Sequence, residues 1–177
     1  SYTGGSGDDS LTFDEYLASD GGTATFDMSA GGDNFFVARD DAALAGSLSY
    51  TGGSGDDSLT FDDYLAYDGT ATFDMSLGGN NTFVAGSSAA SVGGSLSYTG
   101  GSGDDSLTFD EYLAFDGGTA TFDMSAGGNN TYVAGDEAAK SDGSIVYTGG
   151  AGDDNLTFGD ALAHNGSLGS ATFDMSL

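Results

Sequence analysis

The sequence contains no cysteine, no proline, no tryptophan and one histidine, and it sets two basic residues against 28 acidic ones. Without cysteine there are no disulfides and no thiolate metal sites. That fits an extracellular protein exported without oxidative folding, as it also fits many cytosolic chains. One histidine and no cysteine leave a Ser/His/Asp triad without support beyond composition. No catalytic residue is nominated, and the chain does not read as an enzyme. His164 falls in an irregular loop and reads as a solvated residue. The shortage of Lys and Arg leaves a formal charge of −26, a surface that repels nucleic acid. No segment approaches the roughly 18 apolar residues of a transmembrane helix. No basic stretch followed by an apolar one opens the chain, so any export signal is expected outside these residues.

What remains is acid, glycine and hydroxyl. Of 177 residues, 32 are Gly, and an ordinary globular domain is not composed this way. Such acidity at modest hydrophobicity normally predicts disorder, because too little apolar surface offsets chain entropy. A periodic pattern with a cation to neutralise it escapes that outcome.

The pattern is periodic. GGSGDD occurs at Gly4 to Asp9, Gly52 to Asp57 and Gly100 to Asp105, and returns as GGAGDD at Gly149 to Asp154, at offsets of 48, 48 and 49 residues. The repeats run over 1–48, 49–96 and 97–145, with a partial fourth over 146–177. Each holds a fainter second symmetry, so the elementary coil is about 24 residues and two coils make a repeat. Within coils, Ser47-Leu48-Ser49-Tyr50, Thr23-Ala24-Thr25-Phe26 and Ser10-Leu11-Thr12-Phe13 alternate as half-buried strands do. Stacking places Tyr50, Tyr98 and Tyr147 beside Phe26, Phe73, Phe122 and Phe173, and sets Leu11, Leu59, Leu107 and Leu156 against Phe36, Phe83 and Tyr132 on the opposite sheet. The loops Asp14 to Ala18 and Asp41 to Leu44 are expected to form short helices or 3₁₀ turns at most. The whole reads as one cooperative stack over 1–177.

With the residues that follow, each copy reads GGxGxDxUx, U being a large apolar residue. These nonapeptides resemble the repeats-in-toxin family of haemolysin-type calcium-binding repeats. The resemblance implies an all-β parallel β-roll, a β-solenoid with calcium-binding turns along one edge and several Ca2+ ions. The ligands it implies are Gly4, Ser6, Asp8 and Asp9, then Gly52, Ser54, Asp56 and Asp57, then Gly100, Ser102, Asp104 and Asp105, then Gly149, Ala151, Asp153 and Asp154. Glycine is expected there for positive φ, and calcium takes six to eight oxygens in loose geometry. Two carboxylates one rung apart repel by about 3 kcal/mol at an effective dielectric of 20. Over a stack this rivals a domain's usual stability, so folding is expected to depend on the metal.

The sequence departs from the family in the second half of each repeat. There the turns read Ser29 to Asn34, Ser76 to Asn81 and Ser125 to Asn130, with Asn in place of the sixth-position Asp. Two readings are open. Asn34, Asn81 and Asn130 share an ion with the neighbouring Asp turn, with Asp27, Asp74 and Asp123 contributing, or they form amide ladders. The other edge of each coil is an acidic, Ala-containing loop, so calcium is expected on one edge only. Arg39 and Lys140 lie in that loop and are expected to pair with Asp40 or Glu137. Four NxS/T sequons start at Asn80, Asn129, Asn155 and Asn165.

Outward rows of Thr and Ser, such as Thr23, Thr25, Ser47, Ser49, Thr70 and Thr72, resemble the TxT faces of ice-binding proteins. Thr and Ser equally suit an exposed strand, and Val146 interrupts the array. The GGxG strings are not phosphate loops, since no Lys follows them. Taken together, the leading expectation is a secreted structural or adhesive rod in a surface layer, an extracellular filament or an adhesin, one that associates end to end or within a longer array. The alternative is the calcium-dependent folding and secretion module of a repeats-in-toxin enzyme or toxin.

Overall fold

Period-two alternation puts one side of every strand inside, and the chain winds accordingly. The computed structural model describes residues 1–159, 162–164 and 169–175. The first coil holds β1 (Tyr2–Thr3), β2 (Ser10–Phe13) and β3 (Ala18–Ser19), and the second β4 (Thr23–Asp27), β5 (Phe35–Ala38) and β6 (Ala43–Leu44). The third holds β7 (Ser47–Thr51), β8 (Ser58–Phe61) and β9 (Ala66–Tyr67), and the fourth β10 (Thr70–Asp74), β11 (Thr82–Ala85) and β12 (Ala90–Ser91). In the fifth are β13 (Ser95–Thr99), β14 (Ser106–Phe109) and β15 (Ala114–Phe115), and in the sixth β16 (Thr119–Asp123), β17 (Thr131–Ala134) and β18 (Ala139–Lys140). The seventh holds β19 (Ser144–Thr148), β20 (Asn155–Phe158) and β21 (Ala163–His164), and β22 (Ser170–Asp174) begins an eighth.

Same-position strands pair in parallel from coil to coil, giving one eight-stranded and two seven-stranded sheets. The architecture is the β-solenoid expected from the repeat. Tyr50 pairs with Phe26 and Phe73 across β4, β7 and β10, and Leu59 with Phe36 and Phe83 across β5, β8 and β11.

The third sheet corrects one expectation. The loops expected as short helical turns are the two-residue strands β3, β6, β9, β12, β15, β18 and β21, and no helix occurs among the described residues. A lone helical turn leaves most of its amides unbonded. Here Ala18 N–H donates to Ala42 O, Ala42 N–H to Tyr64 O and Ala66 N–H to Ala89 O, each in the next coil. The strands end at a column of left-handed residues, Asp20, Ala45, Asp68, Val92, Asp116 and Ser141, with φ of 48° to 51°.

Inside, aromatic rings form a continuous stack. Phe36 lies 4.9 Å from Phe26, 5.6 Å from Tyr50 and 5.7 Å from Phe61, and the contacts repeat around Phe83 and Tyr132. Each buried ring contributes about 1.5–3 kcal/mol. Toward the third sheet the core narrows to alanine, with Ala43, Ala66, Ala90, Ala114 and Ala139 all inaccessible.

Glycine in the Asp turns has a different role from the one expected. Among their glycines only Gly152 has φ in the left-handed range, whereas Gly31 and Gly32 and their repeats in the Asn turns all do. In the Asp turns the requirement is close approach. A Cβ on Gly55 would lie 2.3 Å from Gly32 O and 2.5 Å from Asp33 Oδ1, while Gly7, its counterpart in the first coil, has nothing within 4 Å. Gly55→Ala is therefore expected to destabilise by about 1–3 kcal/mol. Gly7→Ala should stay within about 0.5 kcal/mol of the parent, as measured by urea denaturation of the two variants side by side.

Candidate functional site

The turn edge joins the first sheet to the second, and its backbone amides lie beyond both strand ladders. Gly4, Met28 and Gly52 still donate to carbonyls of the next coil, and amides further into the turn are bonded by two rows of side chains. The inner row is Asp9, Asn34, Asp57, Asn81, Asp105, Asn130 and Asp154, one residue per coil. Asp9 N–H donates to Asn34 Oδ1 at 3.1 Å, Asn34 N–H to Asp57 Oδ1 at 2.9 Å and Asp57 N–H to Asn81 Oδ1 at 3.0 Å. The same bonds continue from Asn81 to Asp105, Asn130 and Asp154. Each Asn also donates Nδ2 to the next Asp Oδ1, at 2.7 Å for Asn34 and 2.9 Å for Asn81 and Asn130.

The outer row is Asp8, Asp33, Asp56, Asn80, Asp104, Asn129 and Asp153, and it runs the opposite way. Asp33 N–H donates back to Asp8 Oδ1 at 2.9 Å, Asp56 N–H to Asp33 Oδ1 at 2.9 Å and Asn80 N–H to Asp56 Oδ1 at 2.7 Å. Asp104, Asn129 and Asp153 continue it. In the inner row Asn separates every pair of carboxylates. In the outer row Asp33 breaks the alternation, so Asp8, Asp33 and Asp56 stand in consecutive coils.

Two further alternations accompany Asp and Asn. The first sheet carries Tyr2, Tyr50, Tyr98 and Tyr147 in the Asp coils and Phe26, Phe73, Phe122 and Phe173 in the Asn coils. Gly4, Gly52, Gly100 and Gly149 face Met28, Met75, Met124 and Met175 of the coil that follows. A Cβ on Gly100 would lie 2.6 Å from Asp105 Oδ2 and 2.8 Å from Met124 Cε. The hydroxyl is thus present where the carboxyl is, and the missing Cβ makes room for the carboxyl and the thioether together. Tyr2 Oη donates to Asp9 Oδ1 at 3.3 Å.

Asp105 is 1% exposed, and the hydroxyl of Tyr98, also buried, has no hydrogen-bond partner. Burial pushes the Asp105 carboxyl up to about 6, against the hydrogen bonds from Asn81, and Asp104 adds to the rise. Asp57 is raised for the same first reason. Burial, then the charges of Asp105 and Asp57, raise the Tyr98 hydroxyl well above its ordinary value.

The remaining nominated residues fall into place around these rows. Ser6, Ser54, Ser102 and Ala151 lie exposed at the turn tips. Asp27, Asp74 and Asp123 bond within their own turns, each accepting the N–H of Ser29, Ser76 or Ser125 at 3.1 Å. Asn34, Asn81 and Asn130 are thus bonded along the row to the Asp of the next coil. The Asn turn is also one residue longer than the Asp turn, because Tyr2 pairs with Phe26 but Ser10 with Phe35. The nonapeptide register is therefore not carried into it.

A calcium ion between rungs does not fit the inner row as arranged. Each inner Asp Oδ1 from Asp57 onward already accepts a backbone N–H and an amide Nδ2, and Oδ2 of Asp9 and Asp57 accepts the N–H of Gly5 and Gly53 at 3.0 Å. The outer row fits better, with exposed carboxylates whose hydrogen bonds engage Oδ1 alone.

The opposite edge holds a grouping that the sequence reading passed over. Carboxylate oxygens of Asp40, Asp41 and Asp63 lie within 4.8 Å of one another, the one such cluster among the described residues. Asp41 is raised by burial, then by Asp63 and Asp40. Arg39 bonds Asp14 of the preceding coil at 2.8 Å rather than Asp40, because same-position residues stack, while Lys140 pairs with Glu137 as expected. The backbone of His164 lies in β21, and the sequon at Asn165 lies outside the described residues. No helix long and apolar enough to cross a membrane occurs among the described residues. The chain matches no protein-family model, no curated protein and no solved structure.

The folded value of Asp105 lies above the ~3.9 of an unfolded carboxyl, so the folded state binds the proton more tightly. The stability this supplies is complete below about pH 4 and is lost as pH rises through about 6. Its size is roughly 3 kcal/mol. The thermal midpoint in chelator should therefore be higher at pH 5 than at pH 7.5, and Asp105→Asn should raise the pH 7.5 midpoint and flatten the profile. Conversely, Asn81→Asp places a buried carboxylate between Asp57 and Asp105 and removes the Nδ2 donor. It is expected to cost at least about 2 kcal/mol at pH 7.5, with most of the loss recovered at pH 5 in the same melting experiment.

Proposed function

We propose that this chain is a segment of a secreted structural or adhesive rod that draws calcium to the outer acidic row of its turn edge. The observation that carries the reading is the unbroken register. Every strand of the first sheet, from β1 to β22, pairs in parallel with its counterpart in the next coil, so each surface feature becomes a row along the stack. A surface of identical rows suits repeated, multivalent contact, and a solenoid stabilised by nearest-neighbour coils lengthens without redesign.

The calcium part of the reading rests on the GGxGxDxUx resemblance together with the outer row. Asp8, Asp33 and Asp56 present exposed carboxylates in consecutive coils, with the backbone donors taken up by Oδ1. Adjacent carboxylates at a surface repel by roughly 1 kcal/mol in water, and a divalent ion with water completing its shell removes that cost. Because the inner row is bonded by amides, calcium acts here as a surface counter-ion, with affinity of about 10⁻⁴–10⁻³ M.

In place of the metal-dependent folding expected from the resemblance, the amide-bonded inner row leads us to expect a β circular dichroism signal that persists in excess chelator and a thermal midpoint that rises as calcium is added. Asp8→Asn/Asp33→Asn/Asp56→Asn should abolish the rise, and Asp57→Asn should leave it. A calcium response untouched by the triple variant would overturn the assignment to the outer row. For the rod itself, electron microscopy of the calcium-loaded parent protein should show filaments or cell-surface association; dispersed monomers with no cell association would overturn it.

A further inference from the structure

Aromatic side chains come to the surface on the loop edge in the first, third and fifth coils. Leu17 N–H donates to Asp41 O, Ala42 N–H to Tyr64 O, Leu65 N–H to Ser88 O and Ala89 N–H to Tyr112 O, so Tyr16, Asp41, Tyr64, Ser88 and Tyr112 form one column. The side chains between the tyrosines are shorter than the rings. Tyr16 is 56% exposed and Tyr64 38%. One repeat is two coils, so their attachment points recur at about 9.6 Å along the stack.

The third ring of the column is already covered. Tyr112 stacks on Phe115 with centroids 5.2 Å apart, and Lys140 Nζ lies 5.0 Å from the Tyr112 centroid, a cation–π distance. Tyr64 and Tyr67 meet edge to face at 5.5 Å. Ser91, the register partner of both Tyr67 and Phe115, takes the place between the two aromatic pairs. It is 1% exposed, and its hydroxyl has no hydrogen-bond partner. Around it the loop of the fourth coil, residues 86–94, has no charged side chain, which leaves an uncharged gap in the acidic edge beside the second ring.

Area and charge select the occupant. An aromatic side chain can bury about 200 Å² in all, so the accessible parts of Tyr16, Tyr64, Tyr67, Tyr112 and Phe115 amount to roughly 300 Å². Each side of a standard protein interface buries about 800 Å², so a folded partner is too large for the patch. An anionic ligand is repelled by the neighbouring Asp62, Asp63, Asp110 and Glu111. A neutral sugar ring meets both limits: its C–H groups lie against an aromatic face, and its hydroxyls donate to carboxylates and pair with a serine. In a β-1,4-linked chain each ring is turned over relative to the last, so the same face returns at every second sugar, close to the interval between Tyr16 and Tyr64.

We propose that Tyr16 and Tyr64, with Tyr67 and Ser91, form a track for a neutral β-1,4-linked polysaccharide, alternate sugars stacking on the two column tyrosines and Lys140 closing the track at Tyr112. This rests on the reading of the chain as an adhesive rod and gives that rod its ligand class. The track lies on the edge opposite the turn rows and is independent of calcium there.

The test is titration of the full chain with cellohexaose in excess chelator, followed by the tyrosine ring resonances in proton–carbon spectra. The expected result is saturable shifts at Tyr16, Tyr64 and Tyr67, with cellobiose, too short to reach both column rings, binding at least about tenfold more weakly. Tyr16→Ala/Tyr64→Ala should weaken cellohexaose at least about tenfold. Tyr16→Phe/Tyr64→Phe keeps the rings and should bind within about twofold of the parent, which guards against an alanine variant that merely fails to fold. Ser91→Ala should bind about threefold more weakly without lowering the thermal midpoint, because the hydroxyl it removes has no partner in the free protein. Lys140→Ala should uncover the third ring and tighten cellohexaose while leaving cellotetraose unchanged. Equal binding of maltohexaose, whose α-linked chain curves, would overturn the track, as would shifts with a pentalysine peptide and none with cellohexaose. Cell association without any response to cellohexaose would overturn the track and leave the rod; saturable binding by dispersed monomers would do the reverse.

Discussion

At the corner of a stacked coil the backbone amide has left one strand and not yet joined the next, and something must accept its hydrogen. A buried, unbonded N–H costs on the order of 1–3 kcal/mol, and here the demand recurs in every coil. Side-chain oxygens one coil away meet it, upward in the inner row and downward in the outer. All else on this edge follows from which side chains can stand in those rows. Carboxylate oxygen accepts well, but a column of buried carboxylates repels itself. Alternating Asp with Asn keeps an accepting Oδ1 in every coil and halves the buried charge.

That alternation gives the 48-residue repeat its physical meaning. A coil with Asp carries Tyr, whose hydroxyl rises toward the carboxyl, and Gly, whose missing Cβ admits the carboxyl and the methionine of the coil that follows. A coil with Asn carries Phe and Met and closes its longer turn through left-handed glycines. Two kinds of coil, each fitted to the other, are needed before the pattern closes on itself. Single-coil periodicity of about 24 residues describes the backbone, and the doubled period describes the side chains.

Much of this was legible from residue order. Leu11, Phe26, Phe36 and Tyr50 announce their sheets because alternation along four or five residues has one physical meaning, and their stacking partners follow from the repeat. The third sheet was not legible, since Ala18-Ser19 or Ala43-Leu44 is too short for any period to show and borders on residues that also suit a helical turn. The inserted residue of the Asn turn was hidden by its glycines, which align with either register. Tyr and Phe alternate visibly in the sequence, but only the fold places Tyr50 and Tyr98 beside Asp57 and Asp105. The Asp63 grouping depends on Asp41 arriving from a neighbouring coil, which residue spacing alone does not single out.

The bonds of all three sheets and of both side-chain rows point along the stacking axis. Tension applied along that axis therefore loads an entire layer of bonds at once, and they share the force. Pulling on a chain end instead opens one bond after another, uncoiling a single turn at a time. The same contacts make the object stiff in one loading geometry and easily unwound in the other, so its mechanical strength is set by where the load is attached.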